Sequence, residues 1–306
     1  MTEPSVTDLL KNELSTRRSS RRSAIRTLGL GALGATGLGA FIPRARAQSA
    51  TSPEQDIAIL NFALNLEYLE AEYYLYAALG HGIGNQSGLQ GQGTFGPTTV
   101  KANPRVKFDT RDFKQYAVEI ARDELDHVKL LRRTISQLGG TPVAKPAIDL
   151  KNSFDAAAQA AGIGPAFDPF ANEINFLLGA FVFEDVGVTA YKGAARLLDS
   201  PDVLEAAAGL LAVEAYHAGE VRTLLYAQGR AVQSTAAAIS RLRDQADGEK
   251  ALDQKLTRGR RANIVPTDSS GLAFSRSTRQ VLNIVYLSRG QSSGGFFPNG
   301  MNGVIS

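Results

Sequence analysis

Two of the three histidines in this 306-residue chain follow a glutamate by three positions, each in the middle of a long helical stretch. The pairs are Glu124–His127 and Glu214–His217. On an α-helix that spacing puts both side chains on one face, about a turn apart. Burying a carboxylate and an imidazole together is costly unless a cation or a counter-charge compensates them. A fold that carries the pattern twice must bring further acidic groups, or a metal, to meet it.

The second pair lies on a helix predicted over Ser200–Gly229. Ser200 is a good N-cap, Pro201 suits the first helical position, and Asp202 sits where the helix dipole favours an anion. Gly229 supplies a left-handed stop. Leu204, Ala208, Leu211, Ala215 and Ala218 are read as its apolar stripe. The first pair lies on a helix capped by Asp109 or Thr110 and ended by Gly139-Gly140, with Tyr116, Ile120, Leu131 and Ile135 as apolar contacts.

Two more long helices carry single glutamates at their centres. Ser52-Pro53-Glu54-Gln55 opens one that runs to Leu79 around Glu67. Asp168-Pro169 opens another that runs to about Leu198 around Glu184, in surroundings apolar enough to bury that carboxylate. Only Asp199 and Ser200 separate it from the next helix, so those two should be antiparallel neighbours. In a bundle of such helices Glu67, Glu124, Glu184 and Glu214 fall at one height, to within about one 5.4 Å turn. His127 and His217 follow on the same faces.

A glutamate from each of two helices and Glu-x-x-His from each of the other two is the pattern of ferritin-like dinuclear carboxylate proteins. Several negative oxygens offset the repulsion between two close divalent ions, and imidazole favours Fe or Mn over Mg or Ca. Glu67 and Glu184 are expected to bridge, with Glu124/His127 and Glu214/His217 each holding one ion. Glu70 can replace or supplement Glu67, against an alternative as a group behind the ligands or on the surface. Asp126 and Asp185 are candidates for orienting the imidazoles, against an alternative as solvated surface groups. Tyr73, Tyr74, Tyr191 and Tyr216 are read as core packing, against an alternative in which they line the site or carry radicals, and His81 as an exposed loop residue.

Residues 80–108 and 141–167 are long connections, the first rich in glycine and the second holding a short helix near 154–161. Beyond the bundle, helices are expected near Ala231–Ala246 and after Ser277. No segment carries a defensible strand signal. A glutamate helix followed by a Glu-x-x-His helix occurs twice, which hints at a duplicated helix pair.

The first 47 residues read as an export signal. Ser20-Arg21-Arg22-Ser23-Ala24-Ile25-Arg26 resembles a twin-arginine motif, Thr27–Ile42 is a Gly/Ala/Leu-rich apolar run, and Ala45-Arg46-Ala47 fits a cleavage site. The apolar run is too short and glycine-rich for a good bilayer span, and no other is expected in the mature chain. The leader carries a net charge of +5, so the whole-chain value of +3 falls to −2 without it. The basicity belongs to targeting, and no nucleic-acid partner is implied. The chain has no Cys, which excludes disulfides and thiolate chemistry.

The sequence resembles the exported ferritin-like proteins related to the plant desiccation-related proteins. The resemblance rests on Asn65–Glu72, on Phe183–Tyr191, and on the tail Gln280–Tyr286 with Gly294-Gly295-Phe296-Phe297-Pro298-Asn299-Gly300. It implies an all-α fold, a ferritin-like four-helix bundle over residues 48–229, followed by a helical and irregular C-terminal extension over 230–306. It places Glu67, Glu124, His127, Glu184, Glu214 and His217 at the matching ligand positions. The expected activity is a dinuclear Fe or Mn centre outside the cytoplasm, periplasmic or extracellular. It would act on oxygen or peroxide, by peroxide removal or ferrous oxidation under oxidative or desiccation stress. The alternative is a non-catalytic envelope protein that keeps the bundle. The extensions argue against a hollow cage, and self-association into a smaller homo-oligomer stays open.

Overall fold

The computed structural model describes residues 53–84, 87–248 and 252–306. The leader and Ser52, read above as a helix cap, lie outside these residues. Four long helices form the bundle: α1 (Pro53–Leu79), α2 (Arg111–Gln137), α4 (Glu173–Ala195) and α5 (Pro201–Ala227). The short α3 (Asn152–Ala161) sits in the connection between α2 and α4, and α6 (Arg230–Asp247) and α7 (Thr278–Val285) follow the bundle. Helix α1 packs mainly on α2, and α4 mainly on α5, so the molecule is two helical hairpins face to face.

Local chemistry sets the helix ends. Ser200 accepts a hydrogen bond from the Val203 amide, and Ser277 with Gln280 makes a complete capping box at α7. At α2 the cap comes from elsewhere. The Glu173 carboxylate, the first residue of α4, accepts from the Asp109 and Thr110 amides and the Thr110 hydroxyl. Asp168-Pro169 does not open α4: it forms a turn, and Asn172 caps the helix four residues later by accepting from the Asn175 amide. Asp168 instead caps its own turn at the Phe170 amide and pairs with Lys101.

The inner face of α5 differs from the stripe read in the sequence. Val203, Ala207, Leu210, Glu214, His217, Val221 and Leu225 are buried, whereas Leu204 is 40% exposed and Ala208 and Ala215 face outward. Alanine and leucine occur on both faces of this helix, so apolarity alone does not orient it. The charged pair does.

The described residues contain two small β pairs the sequence did not signal. Thr98–Thr99 runs parallel to Ile148–Asp149, and Thr257–Arg258 runs antiparallel to Arg261–Ala262. Two residues are too few to show alternation. The first pair ties the 80–110 loop to the α2–α4 connection. That loop is pinned further by Arg132, which donates to Gln90 O, Val143 O and the Tyr68 hydroxyl.

The core beside the bundle is aromatic. Phe154, Phe183 and Phe296 pack edge to face with centroids 5.0–5.7 Å apart, and Tyr73 joins Phe154 and Phe183. Phe296 comes from the C-terminal tail, so the extension completes this core. Helix α4 has the length and composition of a bilayer span, with 67% of its apolar window buried among its neighbours. Core helices and spans share such composition.

Candidate metal centre

The bundle axis brings seven ionisable side chains into one buried cluster. Glu67, Glu70, Glu124, His127, Glu184, Glu214 and His217 are each at most 7% exposed. They form three overlapping groups, within each of which one ligand atom per residue lies within 4.8 Å of the others. One group is Glu67, Glu124, His127 and Glu214; the second is Glu124, Glu184 and His217; the third is Glu70, Glu184 and Glu214. All six residues named from the spacing, and the supplementary Glu70, therefore converge.

The distances assign different partners from those expected. His127 Nδ1 lies 3.2 Å from Glu67, 3.4 Å from Glu124 and 3.8 Å from Glu214. His217 Nδ1 lies 3.0 Å from Glu124 and 3.9 Å from Glu184. Glu124, rather than Glu67 or Glu184, is the carboxylate common to both histidine-centred groups. Glu214 lies with His127 rather than with His217 of its own helix. The antiparallel hairpins interleave their ligands, a packing relation that spacing along one helix does not reveal.

The donor set fits a cation pair. Both oxygens of Glu124 and of Glu214, Glu70 Oε2, Glu184 Oε2 and His217 Nδ1 are buried and lack a hydrogen-bond partner. His217 Nδ1 approaches Glu124 closely but is not aligned to donate to it. Buried polar atoms are seldom left unsatisfied, and each one here costs about 1–3 kcal/mol or more. So many orphaned acceptors aimed at one point are what divalent ions need, and carboxylate with imidazole suits Fe or Mn.

Tyrosines fix the two outer carboxylates. Tyr74 donates to Glu184, and Tyr191 donates to Glu67. Each tyrosine lies seven residues after the glutamate of its own helix and bonds the glutamate of the other. Seven residues are about two turns. This reciprocal arrangement is a repeated Glu-x6-Tyr spacing, and for these two tyrosines it matches the site-lining alternative rather than the preferred core reading. Tyr73 is core, bonding Phe176 O, and Tyr216 is 78% exposed. The orienting acid is also a different residue: Asp123 Oδ2 lies 3.2 Å from His217 Nε2, which leaves Nδ1 facing the cluster. Asp126 is a surface partner of Lys129, and Asp185 is held by Arg222 and Arg243. His81 is exposed, as read from the loop. Removing one tyrosine hydroxyl leaves its glutamate without its anchor. Tyr74→Phe and Tyr191→Phe should each weaken metal binding about tenfold or more, measured by chelator competition.

Without metal the cluster stores protons. Burial pushes Glu67 up to about 7 and Glu184 up to about 8, and drives Glu70 and Glu214 well above the usual carboxylate range, with neighbouring carboxylates adding to each. Burial also works against ionised Glu124, but the adjacent His127 and His217 outweigh it and hold it down at about 2. Burial disfavours charge on the histidines too. The facing carboxylates reverse that, Glu124 first, and raise His127 to about 11 and His217 to about 9. For the raised groups the folded, metal-free chain binds more protons than the unfolded one. Their contribution to stability therefore falls with rising pH, from about 4.5 to about 8 for Glu67 and Glu184 and from about 6.5 to between about 9 and 11 for the histidines. Chelator-treated protein should melt at a lower temperature at about pH 8.5 than at about pH 5.5. Metal loading at neutral pH should release protons, seen with an indicator dye, and tighten as pH rises.

A further acidic group, Asp244, Asp247 and Asp253, is already matched by cations. Arg276 contacts Asp247 at 3.0 Å and also Asp253, and Arg243 contacts Asp253 at 2.6 Å. It is an ion-pair network.

Glycine shapes the site at one point. A Cβ on Gly187 of α4 would overlap Glu214 Oε2, so only glycine lets that carboxylate lie flat against the helix.

Comparison with known proteins places this geometry in context. The pattern of the ferritin-like domain matches residues 55–227. A desiccation-related protein of Craterostigma plantagineum is 32% identical over 250 residues, 75% of this chain and 77% of its own length. A ferritin-like catalase of Nesocodon mauritianus is 28% identical over 277 residues, 83% of this chain and 85% of its own.

Proposed function

Because the chain belongs to the ferritin-like domain family, with the desiccation-related proteins among its relatives, we propose that it holds a dinuclear Fe or Mn centre and removes peroxide. The observation that carries this reading is the set of buried, unpartnered carboxylate oxygens around two imidazoles. The similarity to a ferritin-like catalase supports peroxide over ferrous iron as the substrate. The twin-arginine-like leader supports action outside the cytoplasm, as a protective activity under oxidative or desiccation stress.

Glu67, His127 and Glu214 would hold one ion, Glu184 and His217 the other, with Glu124 common to both. When bound, such a pair supplies Lewis acidity and two redox equivalents. The protein's part is to place and shield it. Tyr74 and Tyr191 lock the outer carboxylates, and Asp123 sets the His217 ring. Without metal, burial and then three nearby carboxylates hold the Glu70 carboxyl well above the usual carboxylate range. Its Oε2 is buried beside the cluster without a partner, placed to meet a small oxygen compound or to serve as a further ligand.

Purified protein should carry about two Fe or Mn ions per chain and evolve oxygen from peroxide. His217→Ala should lose both properties. Folded wild-type protein that holds no transition metal after reconstitution would sink the proposal, whereas a metal-loaded protein that oxidises ferrous iron and ignores peroxide would change the substrate.

A further inference from the structure

A cavity of about 400 Å³ opens beside the carboxylate cluster. Its inner end is formed by Glu67, Glu70 and Tyr191. Its walls are mostly apolar: Ile59, Ala63 and Leu66 of α1 face Ala190 and Ala194 of α4, with Ala207 of α5 beside them, while Ser275, Ser277, Thr278 and Gln280 add a polar side. Exposed Arg196 and Leu197, just past the end of α4, mark where it meets solvent.

Peroxide and oxygen do not require such a space. The volume lies within the range of about 300–1,000 Å³ typical of small-molecule sites, where apolar walls and a few placed polar groups define the ligand. Of the two arginines that line it, Arg276 is buried and held by Asp247 and Asp253, which leaves Arg196 as the positive charge at the mouth, and the inner end is acidic. An anionic group is therefore favoured outside and an apolar chain inside.

We propose that this cavity binds a long-chain fatty acid, tail inward toward Glu70 and carboxylate at Arg196. Its position beside a metal centre rests on the reading above, but binding of the acid is a property of the apolar walls and needs no metal. The bound tail would stand between solvent and the cluster.

The full chain should bind cis-parinaric acid saturably, with a fluorescence rise reversed by palmitate. Ala194→Trp fills the cavity from α4 and should weaken binding about tenfold or more, with the metal content of wild type. Ala63→Trp repeats the test from the α1 wall, should either variant fold poorly. Arg196→Glu should abolish the preference for palmitate over hexadecanol. No saturable binding by wild type, or binding untouched by a folded tryptophan variant, would overturn the proposal. Wild type that binds the probe yet takes up no metal would support it while removing the metal reading.

Discussion

Glu124→Ala is expected to strip the protein of both metal ions, whereas Glu67→Ala or Glu184→Ala should leave one half of the centre partly occupied. Glu124 is the only one of the three whose two oxygens face both imidazoles, Oε2 at 3.4 Å from His127 and Oε1 at 3.0 Å from His217. In the proposed dinuclear centre its loss would remove a ligand from each half at once, and charge from where two cations would sit together. Losing a group that merely orients a ligand costs about 10–100-fold in affinity, so losing a shared ligand should exceed about 100-fold. Elemental analysis of the reconstituted variants reads the result directly. Wild-type loading in Glu124→Ala, with loss in Glu67→Ala, would show that another carboxylate is shared. The metal-free variant offers a second readout. Glu124 is the largest influence holding both histidine pKa values up, so removing it should let both imidazoles lose their protons at lower pH, visible by NMR titration.

Arg243→Ala should cost about 3–5 kcal/mol of stability, the usual result of leaving buried charge without its partner. Arg243 is 1% exposed and joins Asp185 on α4, Asp253 beyond α6, and the Phe181 carbonyl. Its guanidinium also lies over the Phe181 ring, 4.6 Å from the centroid. Arg222 reaches the same Asp185 oxygen and four backbone carbonyls of the 254–264 segment. Without Arg243, Asp185 and Asp253 lose a common counter-ion in a place water does not reach. For a domain of this size the melting temperature should fall by about 10 °C. A fall of only a degree or two would mean that Arg222 and Arg276 carry the network alone. Since Asp185 adjoins Glu184, weaker metal retention should accompany the lower melting point.

The helices were legible because their punctuation is local. Ser200-Pro201 and the glycines at 80, 139 and 229 bound them in sequence as they do in space. The site residues were legible because Glu-x-x-His is itself a helical spacing. What escaped depends on contacts between helices. Spacing places Glu214 and His217 together on α5, but only the crossing of the hairpins sets Glu214 beside His127 and makes Glu124 common to both halves. Helix α4 begins at Glu173 rather than after Pro169 because Asn172 caps it there, while Asp168 is taken up by its own turn at Phe170. Asp123 next to Glu124, and the tyrosines two turns beyond Glu67 and Glu184, were in view. A tyrosine on an apolar face is ordinary packing until its partner is known.

The tail has a bearing on when the molecule can be finished. Asn302 and Asn65 exchange hydrogen bonds, Asn302 also reaches Thr94 and Ala144, and Phe296 plugs the aromatic core against α4. Asn65 stands two positions before Glu67. A polypeptide emerging from the ribosome delivers Asn65 well before Asn302, so the helix bearing the first glutamate is clasped only once the tail has been made.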